Sequence, residues 1–176
     1  MSSFCRVIVG VSGSPRNLQA LRYAALLARG QDAALIPVLA WVPPGGDLAD
    51  RRRPSAYLRR IWVEDARQRL NDALDAAFGG LPDDVASEPT VVRGEFGPVL
   101  VREASHPGDL LVIGTGRHGA VGRLFSGKVS RYCLAHAGCP VLAVPPTALE
   151  LAAGHGLHRW TFRHSGLTLS ELTANR

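Results

Sequence analysis

Lys128 is the only lysine among twenty basic residues, and it lies in the stretch DLLVIGTGRHGAVGRLFSGKVSR, residues 109–131. An apolar run, 110–113, stops at a loop holding Gly114, Gly116, Gly119, Gly122 and Gly127, and a helical pattern follows from Gly127 to His136. Glycines allow positive φ and close approach of a ligand to the backbone, and a helix start offers unpaired N–H groups. This is the grammar of a phosphate cradle, with Arg117 able to turn outward onto an anion and Lys128 placing a positive charge at the helix start. The run RVIVGV ends in a second glycine-containing turn, Gly10, Val11, Ser12, Gly13, Ser14 and Pro15.

Other constellations are weaker. GRLFSGKV, residues 122–129, nearly spells a P-loop, but Val129 stands where a magnesium-binding hydroxyl belongs. Cys133, His136 and Cys139 have metal-like spacing without a fourth ligand, so buried thiols are expected, and no metal. His106, His118 and His136 are isolated, and no Ser, His and Asp set converges. No catalytic residue is assigned, and the expected turnover is weak ATP hydrolysis at most.

The elements that must position these loops follow from hydrophobic patterning. RVIVGV is a strand buried on both faces. Ser14 and Pro15 then predict an N-cap and first turn, Leu18, Leu21, Ala25 and Ala28 a helix, and Gly30 its C-cap. Residues 33–42 give a second strand, in which Pro37 marks a bulge or an end. Residues 43–54, with the cluster Arg51, Arg52 and Arg53, read as a mobile surface loop, and 55–78 as a helix stopped by Gly79 and Gly80. A short strand at 89–92, a helix at 99–104, the strand from Asp109, the helix from Gly127 and the strand PVLAV complete five strands. Strands alternating with helices predict an α/β fold with a parallel sheet covered on both faces, whose ligands sit beyond the carboxyl ends of the strands. The loops after strands one and four then flank one crevice.

The chain has 176 residues, 46% of them hydrophobic, which supports one domain over 1–146 and an extension over 147–176. That extension, with Leu157, Trp160 and Phe162, is too apolar for a simple disordered tail and is expected to pack on its own domain or on a partner subunit. The net charge is +5, yet the arginines are dispersed, so a solvated basic surface is expected and no specific nucleic-acid partner. No apolar run reaches membrane-span length and no signal-peptide core follows Met1, so the expected location is cytoplasmic, with no membrane partner.

Taken together, VIVGVSGSP, PVLAWVPP, GDLLVIGTG and GKVSRYCLAHAGCPVLAVP resemble the universal stress protein family, over roughly residues 4–146. The resemblance implies a five-stranded Rossmann-like sheet of order 3-2-1-4-5 with helices on both faces, and a stress-response module. It also implies a homodimer paired through the last strand, from Pro140 to Val144. In one branch it implies an adenine nucleotide, ATP, ADP or AMP, with magnesium if ATP. That branch carries Gly-x-x-Gly, nine residues, then Gly-Ser or Gly-Thr, and an aspartate after strand one. Aligned without gaps, Gly114 and Gly127 occupy the first and last glycines, Arg117 the second, Lys128 the hydroxyl position and Ser12 the aspartate. The implied nucleotide-binding set is Gly10, Val11, Ser12, Trp41, Gly114, Gly116, Arg117, Gly119, Gly127, Lys128, Val129 and Ser130, with Trp41 at the adenine-lining position. An aromatic covering the sheet end is the competing role for Trp41.

SGSPRN also resembles the first phosphate loop of flavodoxin-like FMN reductases. That alternative is a flavin-dependent oxidoreductase holding FMN phosphate with Ser12, Ser14 and Asn17.

Overall fold

The computed structural model describes residues 4–12, 18–115 and 123–145, with the backbone alone over 123–127. Its elements run β1 (Arg6–Gly10), α1 (Leu18–Gln31), β2 (Ala34–Trp41), α2 (Gly46–Arg52), α3 (Ala56–Phe78), β3 (Thr90–Arg93), α4 (Phe96–Glu103), β4 (Asp109–Gly114), α5 (Arg123–His136) and β5 (Val141–Val144). The strands form one sheet of order β3-β2-β1-β4-β5, all neighbours parallel.

Right-handed crossovers dictate which helix covers which face. The chain steps from β1 to β2 to β3 through α1 and α3, and these bury Val7, Val9, Leu35, Leu39, Leu110 and Val112 on one face. It then returns across the sheet to β4 and β5 through α4 and α5, which bury Ile8, Ile36, Val38, Leu111 and Ile113 on the other. Alternate residues of each strand serve opposite cores, which is why the strands read as unbroken apolar runs. The direction of stepping reverses between β1 and β4, and the loops after these two strands open at the same end of the sheet.

Several boundaries differ from the sequence expectation. Residues 43–54 are not all loop, because Gly46–Arg52 form α2. Helix α1 runs through Gly30 and ends one residue later at Gln31, with Asp32 at φ 53°. The Ala33 N–H then returns to the Ala28 carbonyl at 2.9 Å and the Asp32 N–H to Arg29 at 3.5 Å, a Schellman ending whose left-handed residue is an aspartate. Helix α4 starts at Phe96 rather than Val99, within the expected turn. Helix α5 starts at Arg123, four residues before Gly127. Ser55 caps α3, its Oγ accepting the Leu58 N–H at 3.3 Å. The expected cap at Ser14 and the extension 147–176 lie outside the described residues.

Pro37 is neither a bulge nor a strand end, since it pairs in register with Val9. Its missing donor falls on the β3 side. There Leu35 bridges Ser87, the regular ladder resumes only at Val38 with Thr90, and the Glu88 carbonyl accepts the Thr90 hydroxyl at 3.1 Å. By parallel register, that carbonyl is the one a residue-37 N–H would have reached. The break in the ladder therefore sits where proline has no hydrogen to give.

Candidate functional site

The crevice beyond the carboxyl ends of β1 and β4 is bordered by two described segments. Val11 continues past β1, its N–H bonded to the Val38 carbonyl at 2.8 Å, and its side chain is buried in the core. Ser12 follows and is exposed at the rim. Gly114 closes β4 opposite Val144, and Thr115 then donates its N–H to the Val144 carbonyl at 2.8 Å. These contacts fix where both loops leave the sheet. Gly116, Arg117, Gly119 and His118 lie outside the described residues, as do Ser14 and Asn17 of the flavin alternative.

Gly10 has a packing role that the sequence did not reveal. A Cβ there would stand 2.7 Å from Leu100 Cδ1 and 3.1 Å from Phe96 Cζ. The residue is therefore a point where α4 lies directly on β1, and it keeps Phe96 beside the mouth of the crevice.

Trp41, at the end of β2, is buried against Trp62 of α3, with ring centroids 6.4 Å apart. The Arg93 guanidinium carbon lies 5.8 Å from the centroid of the Trp41 ring. Arg93 also bonds Asp47 Oδ1 at 2.7 Å and Asp50 Oδ2 at 2.8 Å, which pins α2 over the ends of β2 and β3. Asp50 is buried, and Arg59 approaches the same oxygen at 3.5 Å while Asp50 Oδ1 has no hydrogen-bond partner. The hydrogen bonds that Arg93 donates to Asp47 and Asp50 raise its already high pKa, so it is a permanent cation beside Trp41. Sequence reasoning missed Arg93 and Asp50. The available signals were a basic residue closing a strand before Gly94 and an aspartate just ahead of three arginines.

Gly127, Lys128, Val129 and Ser130 lie in the second turn of α5, not at its start. The N–H groups without intrahelical partners belong to the first four residues of a helix, so the expected helix-start position of Lys128 is corrected by one turn. Lys128 is exposed and lines a groove between α4 and α5 of about 720 Å³, together with Glu95, Phe96, Pro98, Val129 and Tyr132. Further down α5, His136 stacks on Tyr132 at 4.2 Å, its Nδ1 2.9 Å from the Tyr132 carbonyl. Cys133 is buried below it, and burial pushes the thiols of both Cys133 and Cys139 up.

The opposite end of the sheet carries a clamp. Arg6 Nε and Nη2 each bond one oxygen of Asp109 at 2.8 Å, and Asp109 also accepts the His106 N–H at 2.8 Å. Burial pushes the Asp109 carboxyl up, but the Arg6 hydrogen bonds, the His106 N–H and the nearby positive charge outweigh it, so the carboxyl is held below the usual range. The clamp aligns β1 with β4, and thereby the two loops at the far end.

Comparison with known proteins agrees with this geometry. The model of the universal stress protein family matches residues 3–145. A universal stress protein of Thermus aquaticus is 31% identical over 142 residues, covering 80% of this chain and 98% of that protein. A universal stress protein of Mycobacterium tuberculosis is 29% identical over 153 residues, and the chain spans only 47% of its length. Among solved structures, a universal stress protein in complex with cAMP is 27% identical with a TM-score of 0.54, covering 83% of this chain and 100% of the other. UspA of Lactobacillus plantarum, 18% identical with a TM-score of 0.61 over 82% of this chain and 99% of its own, shares the fold.

Proposed function

The chain belongs to the universal stress protein family, and from that premise we propose that it is a small binding module of the stress response that takes an adenine nucleotide in the crevice between the loops after β1 and β4. The observation that carries the reading is the reversal of strand order between β1 and β4, which opens two glycine-containing loops at one end of adjacent parallel strands. The relative solved with cAMP supports adenosine phosphates as the ligand class. AMP, ADP and ATP, the last with magnesium, are the forms to test. The site differs from the ordinary one, with Arg117 in place of a glycine and Lys128 in place of a hydroxyl at the phosphate end, and Ser12 in place of the aspartate on the nucleoside side. An anion held by charge fits these residues better than a metal-bound triphosphate does. The proposal carries weak ATP hydrolysis at most.

Calorimetry and equilibrium dialysis with AMP, ADP, ATP and cAMP at millimolar concentration test the reading. Saturable binding of at least one is expected, and absence of binding by all four rejects it. The module is also proposed to pair through β5, whose Val141, Leu142 and Ala143 are not fully covered, since an apolar edge strand is a poor surface to leave in water. Light scattering at micromolar concentration checks this, and a monomeric mass would end the dimer reading.

A further inference from the structure

Helix α3 begins with no buried face. Residues 56–61 are all exposed, and its fully buried side chains begin only at Ala66. Tyr57 and Ile61, four residues apart, share one side of the helix and are 72% and 45% exposed, while Ala66, Leu70, Ala73 and Leu74 mark the core-facing side. Leu48 of α2 is 72% exposed and Leu58 is 42% exposed. Contacts among the described residues leave these four side chains exposed, and Tyr57, Leu58 and Ile61 cluster at helical spacing, as large apolar groups at a contact site do.

Arginines surround them. Residues 46–69 hold seven arginines against four acids, three of the five net positive charges of the chain. Asp47 and Asp50 are engaged by Arg93 and Arg59, and Asp65 by Arg69. Arg51, Arg52, Arg53, Arg60 and Arg67 enter no ion pair among the described residues. Arg60 and Arg67 line a concavity of about 610 Å³ with Arg59, Ile61, Val63 and Glu64.

We propose that this overhang, α2 with the first turns of α3, docks on an anionic phospholipid surface, its arginines on headgroup phosphates and Leu48, Tyr57 and Ile61 in the interfacial layer. Charge complementarity selects the occupant. A second copy of the chain would set arginine against arginine, and residues 146–176 bring Arg159, Arg163 and Arg176 against only Glu150 and Glu171. A nucleic-acid backbone would meet the charge but offers nothing for Leu48 and Ile61 to enter. A lipid interface supplies both an anionic plane and an apolar layer, and it deforms around a convex helix start. The expectation of a merely solvated basic loop left the exposed apolar groups unexplained.

The test is sedimentation of the full chain with vesicles of phosphatidylcholine alone and of phosphatidylcholine mixed with phosphatidylglycerol. Binding to the mixed vesicles only, weakened by added salt, is expected. The triple variant Arg51→Gln, Arg52→Gln, Arg60→Gln should lower partitioning by roughly a hundredfold, from about tenfold or less per arginine. The double variant Tyr57→Ser, Ile61→Ser should lower it about tenfold. All five positions are exposed, so circular dichroism should show wild-type folding for both variants. Failure to bind mixed vesicles, equal binding to neutral ones, or a double variant that binds like wild type would overturn the proposal. The last outcome would point to a soluble polyanion or an acidic protein instead.

Discussion

Arg93 lies over Trp41, its guanidinium carbon 5.8 Å from the ring centroid, while its Nη2 reaches both Asp47 and Asp50 of α2. One side chain thus joins the end of β3, the aromatic at the end of β2 and the helix above them. Replacing it with alanine leaves the buried Asp50 with only the longer Arg59 contact. Arg93→Ala should lower the thermal midpoint by a few degrees and shift tryptophan emission to longer wavelength. Arg93→Lys should recover only part of the loss, because an ammonium lacks the Nε–H that also reaches Asp47 and the planar group that lies over Trp41. Differential scanning calorimetry with fluorescence checks both variants.

The Arg6 and Asp109 clamp sets an acid limit on stability. Asp109 is 1% exposed, so Arg6→Ala strands a buried carboxylate and should cost about 3 kcal/mol in urea unfolding at neutral pH. Because the folded carboxyl is held below its unfolded value, the clamp stabilises fully above the ordinary aspartate range, about pH 4. That contribution is lost as pH falls through the folded value. Asp109→Asn should therefore be less stable at pH 7 and should lose less stability than wild type between about pH 5 and 2.

Gly10→Ala tests close packing at the crevice. The added methyl would meet Leu100 Cδ1 at 2.7 Å, and Leu100 is fully buried. The helix α4 must shift or Leu100 must leave its rotamer, at a cost of roughly 1–3 kcal/mol. Urea unfolding reads the loss, and hydrogen exchange should show it concentrated in α4.

Thiol labelling should separate the three cysteines. Cys5 is exposed, Cys139 is half-buried, and Cys133 is buried. Burial raises the Cys133 and Cys139 thiols, which lowers their thiolate fraction at pH 8. Ellman's reagent should modify Cys5 first, Cys139 more slowly, and Cys133 only on unfolding. Peptide mapping after timed quenching identifies each site.

Lys128→Ser restores the hydroxyl of the ordinary motif and removes the lone lysine. With an anion held by that charge, affinity for AMP should fall about tenfold while affinity for adenosine, which has no phosphate, stays unchanged. Equal affinity of variant and wild type for AMP would assign Lys128 to the groove between α4 and α5 alone.

The sequence determined those features that depend on neighbours along the chain. Apolar runs marked all five strands, the helical periodicity from residue 55 marked α3 and Gly79 its end, and the motif order identified the family with its sheet order. It misjudged α2, the end of α1 and the starts of α4 and α5, where short-range signals compete. A left-handed aspartate can end a helix as glycine does, and proline and glycine around a short helix read as loop.

Tertiary structure alone decided what surrounds each site residue. Arg6 meets Asp109 across 103 positions, and Arg93 reaches Asp47 across 46, separations at which local periodicity carries no information. Gly10 became a packing contact only once α4 was laid across β1, and Trp41 was covered only when Arg93 came over from β3. Residue types and local spacing specify elements because they act within a turn or a strand. The neighbours of Gly10, Trp41 and Lys128 follow from the sheet order and the handed return of the chain, which bring distant segments together.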